Sequence, residues 1–423
     1  MTRHHRTLYE IARQAMLDRE LLPDFSTAVQ REVAKLATEP PLDDQAEDLR
    51  KLPWVSIDND DTLDIDQISW AGRDHGDGIR LRIGVASVDW LVGIGSAIDQ
   101  HASHNTTTVY TPAHNFLMIP PELCTDRTSL REGEDRMGLV MEMVVEQDGS
   151  LSFEHVYRAR LRNHSKLAYD SLSSWLEGEI AELAGVTGNQ AIEESIRLQD
   201  EAARRLLEQR RRLGALQLET IEPHAIVKDH EVTDLVEWPK NRARLLIENL
   251  MIAANGITTR VLEEKGFPTF RRIVRKPRRW DRIMTLAEDR GWKLSEEPDP
   301  RSLDEFLASE RERDPAGFPD LSLTVIKLIG RGEYGVQVPG EPETGHFGLA
   351  VEDYSHSTAP NRRFPDVITH RLLHAAMIND DPPYSIGTLK DLAAKCTQME
   401  DAAKKVERRV RESAGRLEAR RSL

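Results

Sequence analysis

Apolar and polar positions along the chain alternate with two periods, and the changes between them mark its elements. Leu8, Ile11, Ala12 and Ala15 fall at helical spacing, Pro23 interrupts, and Ala28, Val33 and Leu36 resume, which predicts two short helices before residue 38. A polar connector, Pro40-Pro41-Leu-Asp-Asp-Gln-Ala-Glu-Asp, follows. Residues 79–92 open on the strict alternation Ile79-Arg-Leu-Arg-Ile83, the pattern of a strand. Met141 to Glu146, a turn at Asp148-Gly149, and Leu151 to His155 read as a hairpin. Residues 190–213 have the pattern of a charged amphipathic helix. Leu246, Leu250, Ala253, Ala254 and Ile257 trace one apolar helix face, and 301–309 and 321–329 predict further helices. Leu389, Leu392, Cys396, Met399, Ala402, Val406, Val410, Ala414 and Leu417 step by three or four with Lys and Arg between them, so the chain is expected to finish as one long helix. No internal repeat and no low-complexity tract is present.

Composition narrows this only modestly. At 423 residues the chain can bury a large core in two or three domains, and 30% charged with 39% apolar residues is ordinary for a soluble protein. No apolar run in the sequence reads as a bilayer span, and the start, Met-Thr-Arg-His-His-Arg, leads into charged helical sequence rather than a secretory core. Cys124 and Cys396 fit no metal or redox spacing, so a reducing cytoplasm is the expected compartment. A net charge of −15 argues at first against a nucleic-acid partner. The sum conceals a basic block at Arg271, Arg272, Arg275, Lys276, Arg278, Arg279 and Arg282, and a second at Arg362-Arg363. The first block reads either as a solvated face or as a contact to a phosphate backbone.

Two stretches carry candidate chemistry. In the first, the short run Val55 and Ile57 delivers Asp58, and Asp60, Asp61, Asp64 and Asp66 follow at once. Carboxylates this close repel one another unless cations are present. The stretch therefore reads as a hard-cation site or as a solvated acidic turn. A calcium EF-hand is excluded, since counting from Asp58 puts Leu63 at its glycine position and Ser69 at its terminal glutamate. In the second stretch, Thr358-Ala-Pro360 ends an extended segment, and a helix is expected to begin near Asn361 with arginines in its first turn. Arginine there opposes the helix dipole, a conflict that an anionic ligand explains.

Ser56-Ile-Asp58 and Asp64-Ile-Asp66-Gln67 resemble a signature of the ribonuclease II/R (RNB) exoribonuclease family: T-I-D, five variable residues, then D-x-D-D. Gln67 stands at the fourth acidic position. Tyr354 to Arg371 is similar to the family's second signature, Y-x-H-F-T-S-P-I-R-R-Y-x-D-x-x-x-H-R, departing at Ser357, Ala359, Asn361 and Phe364. The resemblance implies an α+β fold, an RNB-type catalytic domain whose mixed sheet is surrounded by helices around an RNA channel. It divides the chain into a helical segment and linker at 1–48, the catalytic domain at 49–385, and a C-terminal helix at 386–423 packed on that domain. Neither of the oligonucleotide-binding barrels common in the family is legible.

The activity implied is hydrolytic 3′→5′ degradation of single-stranded RNA to nucleoside 5′-monophosphates at a two-metal Mg²⁺ site, with Mn²⁺ as a substitute. Asp58, Asp64, Asp66 and Gln67 would hold metal, and Asp66 and Arg362 would be catalytic. Tyr110 and Tyr169 would stack on terminal bases. Glu248, His356, Thr358 and Arg363 would contact RNA. From the residues alone, Tyr110 reads rather as a half-buried strand tyrosine, and Arg363, Asp366, His370 and Arg371 read as a salt-bridged scaffold. A monomer is expected; membrane and DNA partners are not. A silent RNB fold that only binds RNA, suggested by Gln67, and a DNA-binding regulator using the N-terminal helices remain as alternatives.

Overall fold

In a computed structural model, the described residues are 7–36, 41–218, 241–342, 345–351 and 353–421, with the backbone of 223–228 and 231–237; for 417–421 only the backbone is described. The elements in order are α1 (Leu8–Leu17), α2 (Thr27–Val33), β1 (Glu47–Asp48), β2 (Trp54–Asp58), β3 (Gln67–Arg73), β4 (Ile79–Ala86), α3 (Val88–Leu91), α4 (Ala97–Asn105), β5 (Val109–Tyr110) and β6 (Asn115–Phe116). A π-helical turn at Leu123–Arg127 leads to β7 (Asp135–Val145), β8 (Leu151–Ala168), α5 (Tyr169–Glu177), α6 (Gln190–Arg212), β9 (Pro223–Lys228), β10 (Glu231–Glu237) and α7 (Arg242–Glu264). Then come β11 (Thr269–Ile273), α8 (Trp280–Glu288), α9 (Pro300–Arg313), α10 (Phe318–Ile329), β12 (Glu333–Gln337), α11 (Phe364–Met377) and α12 (Ile386–Arg421). The opening Met-Thr-Arg-His-His-Arg and part of the 40–48 connector lie outside the described residues.

The period-two segment becomes β4, which pairs antiparallel with β3 on one side and β7 on the other. The Asp148-Gly149 turn then returns the chain as β8, whose 18 residues are too long for one partner. Its first part runs antiparallel to β7 and its last six residues run parallel to β2. β1 pairs with Ala159 and Arg160 on the edge opposite β7. The order β8-β2-β3-β4-β7 therefore returns to β8, and the sheet closes into a ring. Closure removes the exposed edges that an open sheet would have to protect.

Inside the ring sit Trp54, Ile68, Val140, Ala159 and Leu161. The space for Leu161 exists because Gly84 and Gly138 have no side chain: a Cβ on Gly84 would lie 2.7 Å from Leu161 Cδ1, and one on Gly138 closer still. Gly138→Ala is expected to lower the unfolding free energy by about 1–3 kcal/mol through overpacking. Combining it with Leu161→Val, in a urea-denaturation cycle, is expected to cost less than the two changes summed. Strict additivity would show that the two sites do not share this space. The polar half of the β4 alternation does not face open water either. Arg80 and Arg82 both reach Glu142 of β7, at 2.5 and 2.9 Å, and the Tyr157 hydroxyl donates to the same carboxylate at 2.5 Å.

The opposite face of the ring, with Ile79, Leu81, Ile83, Val85, Leu139 and Met141, packs under α6 and α7. The apolar face traced by Leu246, Leu250, Ala253, Ala254 and Ile257 is the buried face of α7. By length and composition it is apolar enough to cross a membrane, yet 72% of its most apolar window is buried inside the protein, as befits a core helix. The helices α8, α9 and α10 gather a second core of their own around Ile283, Leu303, Phe306 and Phe318. At the N-terminus, Leu8, Ala12, Ala15 and Met16 of α1 bury against Met399, Val406 and Val410 of α12, so each helix supplies the other's apolar cover.

Candidate active site

The acidic stretch is the crossing from β2 to β3. Asp58 ends one strand, Gln67 begins the next, and residues 59–66 bridge the gap. Neighbouring segments pin this loop at several points. Lys166 Nζ donates to the Asp60 carbonyl at 2.6 Å, and Arg244 Nη2 donates to Asn59 Oδ1 at 2.9 Å. Ser129 Oγ donates to the Leu63 carbonyl at 2.8 Å and accepts the Ile65 amide at 2.9 Å. Asp58 Oδ1 accepts the Asn59 amide at 2.7 Å and the Thr62 hydroxyl at 3.1 Å.

The second stretch differs from its expectation in one respect. The helix begins at Phe364, not near Asn361, because Pro365 favours a helix's first turn; Arg363 is the capping residue and Arg362 precedes the helix altogether. Asp366, in that first turn, suits the dipole. It accepts the Ala359 amide and Arg363 Nη2, each at 2.8 Å. The dipole conflict inferred for the arginines is thus removed, and what holds Arg362 is the acidic loop. Asn361 donates its amide to Asp66 Oδ1 at 2.9 Å, and Arg362 Nε lies 3.3 Å from Asp66 Oδ2, across 296 residues of sequence. Thr128 Oγ1 donates to Asn361 Oδ1 at 2.6 Å, so adjacent residues Thr128 and Ser129 clasp both stretches.

Burial dominates the electrostatics of this junction. Asp66 is 3% exposed, and desolvation pushes its carboxyl up to about 7 despite Arg362, with Asp64 adding to the rise. Asp64 is raised as well, first by burial, with Asp58 contributing. Tyr110, with 40% of its surface exposed, points its hydroxyl at Asp64 Oδ2 across 3.5 Å, and burial raises that hydroxyl too. Arg244 lies 4.4 Å over the Tyr169 ring, whose hydroxyl is raised by burial and by Asp58. Asp58, Asp64, Asp66, Arg362, Tyr110 and Tyr169 therefore occupy one neighbourhood.

The donors left there are hard oxygens with more negative charge than Arg362 offsets, which suits a hard divalent cation. Among the described residues, however, no three His, Cys, Asp or Glu side chains are gathered as a closed ligand set. Gln67 directly follows Asp66 as the first residue of β3. Strand alternation puts it on the face of Ser69, whose hydroxyl donates to Gln199 of α6 at 2.6 Å.

His356, Thr358 and Arg363 lie behind the junction. His356 Nδ1 bonds the Tyr334 hydroxyl at 2.9 Å, and its ring meets Tyr334 and Tyr354 edge-on at 5.6 Å. Burial, with Arg363 and Arg272 nearby, holds its pKa well below the ordinary imidazole range, so the ring is neutral. Thr358 is 4% exposed, and Arg363 pairs with fully buried Asp366. Asn255 Oδ1 accepts both the amide and the hydroxyl of Ser357, at 2.8 and 2.9 Å, a structural clamp. Glu248 is half-buried on α7, within Coulombic reach of Arg210.

Sequence reasoning missed Arg244, Lys166, the Thr128-Ser129 clasp and the part played by α12. Glu400 of that helix takes both terminal nitrogens of Arg272, at 2.6 and 2.9 Å, and Arg272 lies 4.7 Å over the Tyr334 ring that holds His356. Glu407 accepts the Tyr110 amide at 3.2 Å. An i, i+7 pair of acids on the final helix was the available signal, indistinguishable in sequence from surface charge. The first basic block is likewise not one surface: Arg271 is buried on Glu263 and Arg272 on Glu400.

A family model described as "RNB domain" matches residues 46–379. The chain is 33% identical over 335 residues to Exoribonuclease 2 of Cronobacter sakazakii, covering 78% of this chain and 50% of that one. It is 30% identical over 359 residues to Ribonuclease R of Escherichia coli, covering 82% and 42%. It thus spans about half the length of the curated relatives it matches. Among solved structures, Mycoplasma genitalium RNase R in complex with double-stranded RNA superimposes with a TM-score of 0.86 at 21% identity, over 97% of this chain and 73% of that one. Yeast Ssd1, a pseudonuclease, gives 0.72 at 16% identity, over 95% and 49%. With the fold expected from its two signatures and a family match over most of its length, the chain belongs to the RNB family, whose relatives here are named as exoribonucleases.

Proposed function

We propose that this protein is a hydrolytic 3′→5′ exoribonuclease that takes single-stranded RNA and releases nucleoside 5′-monophosphates. The observation that carries the reading is the meeting of Asp66 with the Asn361 amide and Arg362. An acidic patch and a planar cation side by side suit a phosphodiester whose charge grows during displacement. In this reading Asp58, Asp64 and Asp66 would hold Mg²⁺, or Mn²⁺ in its place, which would supply Lewis-acid chemistry at the phosphate. Arg362, whose side chain is 45% exposed beside a buried carboxylate, has its free face available for the scissile phosphate. Tyr110 and Tyr169 offer rings to the terminal bases, a contact that tolerates any sequence. Glu248 lies farther along the strand's course, while His356, Thr358 and Arg363 act by holding the Arg362 loop.

A second reading, an RNA-binding member without turnover, is favoured by the open ligand set and by Gln67. Incubating a 3′-tailed RNA with Mg²⁺, then with excess chelator, separates the two. The nuclease yields mononucleotides only before chelation; intact RNA bound to protein under both conditions supports the silent member.

A further inference from the structure

The hairpin that carries Tyr110 is too short to hold its own shape. β5 and β6 pair through two residues each, Val109 with Phe116 and Tyr110 with Asn115, and an isolated two-stranded hairpin is marginal in water at best. Its apolar pair is covered from outside. Val109 and Phe116 are buried together with Leu8, Ala12 and Met16 of α1 and with Val406 and Val410 of α12. Tyr9 of α1 adds ring contacts, edge-on to His114 at 5.5 Å and stacked on Phe116 at 6.4 Å. Arg409 joins the two helices through Asp18 at 2.6 Å. Both helices lie outside residues 46–379, so the family match assigns them no part in the site.

The chain leading into this hairpin is fastened at three successive points. Asn105, the last residue of α4, accepts the Leu22 amide at 2.9 Å and donates to the Leu22 carbonyl at 2.8 Å, which ties it to the connection between α1 and α2. The Thr108 amide donates to the Arg362 carbonyl at 3.0 Å. The Tyr110 amide donates to Glu407 Oε1 of α12 at 3.2 Å. The contact to Arg362 thus lies two residues before Tyr110, while the backbone of Tyr110 itself is held from α12. Above that backbone the Tyr110 hydroxyl faces Asp64 Oδ2 at 3.5 Å, and 40% of the residue stays open to a ligand. Freeing the amide would let the ring turn away from Asp64 while Thr108 keeps its hold on Arg362.

We propose that Glu407 is a positioning residue, which from α12 fixes the backbone of Tyr110 and so presents that ring to the 3′-terminal base; the assignment rests on the reading of the chain as an exoribonuclease whose Tyr110 meets terminal bases. The test compares Glu407→Ala with Glu407→Gln in the full chain. Both remove the same charge, and only glutamine keeps an oxygen for the Tyr110 amide; alanine suits a helix interior, so α12 is preserved. Binding of a short 5′-fluorescein oligo(A) is followed by anisotropy in chelator, with urea denaturation alongside, and cleavage is followed separately in Mg²⁺. Glu407→Ala is expected to bind about threefold more weakly than Glu407→Gln, and to raise KM by the same factor with kcat within about twofold. In a Tyr110→Ala background, itself about tenfold weaker, the difference between alanine and glutamine at 407 is expected to vanish. Equal binding by the two, a loss that persists without the Tyr110 ring, or a loss in kcat in place of KM overturns the assignment. Glu407→Leu, which refills the space of the stem without an acceptor, repeats the comparison; a loss in alanine that leucine restores is packing alone and overturns it as well. A parent that cleaves nothing, with an alanine–glutamine difference that depends on Tyr110, defeats the nuclease reading and leaves Glu407 its role. A parent that cleaves without such a difference does the reverse, and one that neither binds nor cleaves RNA removes both.

Discussion

Asp66→Asn is expected to reduce mononucleotide release by about 10³-fold while leaving the dissociation constant for RNA within about twofold, the scale seen when one preorganised electrostatic contact is removed. The asparagine keeps an oxygen for the Asn361 amide and the shape of the loop, so the surface offered to RNA is preserved. What disappears is the negative charge set against Arg362 and the oxygen with the strongest claim on a cation. Single-turnover cleavage and filter binding measure the two quantities, and an equal loss of both would contradict the role assigned to Asp66. The same variant has a stability signature in chelator. The folded carboxyl sits at about 7, above the roughly 3.9 of an unfolded aspartate, so between those values the folded state holds a proton that the unfolded one has lost. Ionising Asp66 therefore costs the parent stability as pH rises through that window. The asparagine variant is expected to melt higher than the parent at pH 8, with the gap closing towards pH 4.

Arg362→Ala should be nearly as damaging, with kcat down about 10²–10³-fold and binding changed far less. Arg362→Lys is expected to recover little of this. An ammonium on a flexible stem is a point charge, whereas the guanidinium keeps its Nε towards Asp66 and turns a planar pair of donors outward. Full activity in the lysine variant would mean that charge alone matters and that the planar geometry does not. The neighbouring arginine should behave differently. Arg363→Ala leaves Asp366 buried without its cation, so it is expected to cost about 3–5 kcal/mol of folding stability, read by urea denaturation. Adjacent arginines thus separate into one whose loss is read in turnover and one whose loss is read in unfolding.

Periodicity carried much of the architecture. The three-and-four spacing from Leu389 to Ala414 became α12, the alternation at Ile79–Val85 became β4, and the hairpin around Asp148-Gly149 joins β7 to β8. The two chemical stretches were also legible, because a run of aspartates and an Arg-Arg pair conflict locally with stability and so stand out. Where the same reasoning erred, a distant partner had decided the outcome. Arg271 and Arg272 read as surface charge and are buried, because Glu263 and Glu400 reach them.

The sequence by itself determined the elements, the family and the residue types available for chemistry, since each depends on neighbours a few positions apart. Only the tertiary structure decided that β8 bends from β7 to β2 to close the ring, and that Thr128 and Ser129 draw the acidic loop against the Asn361-Arg362 turn. Those outcomes rest on hydrogen bonds and burial between segments up to 296 residues apart. No local period encodes such a pairing, because its stability comes from groups that meet only once the rest of the chain has folded.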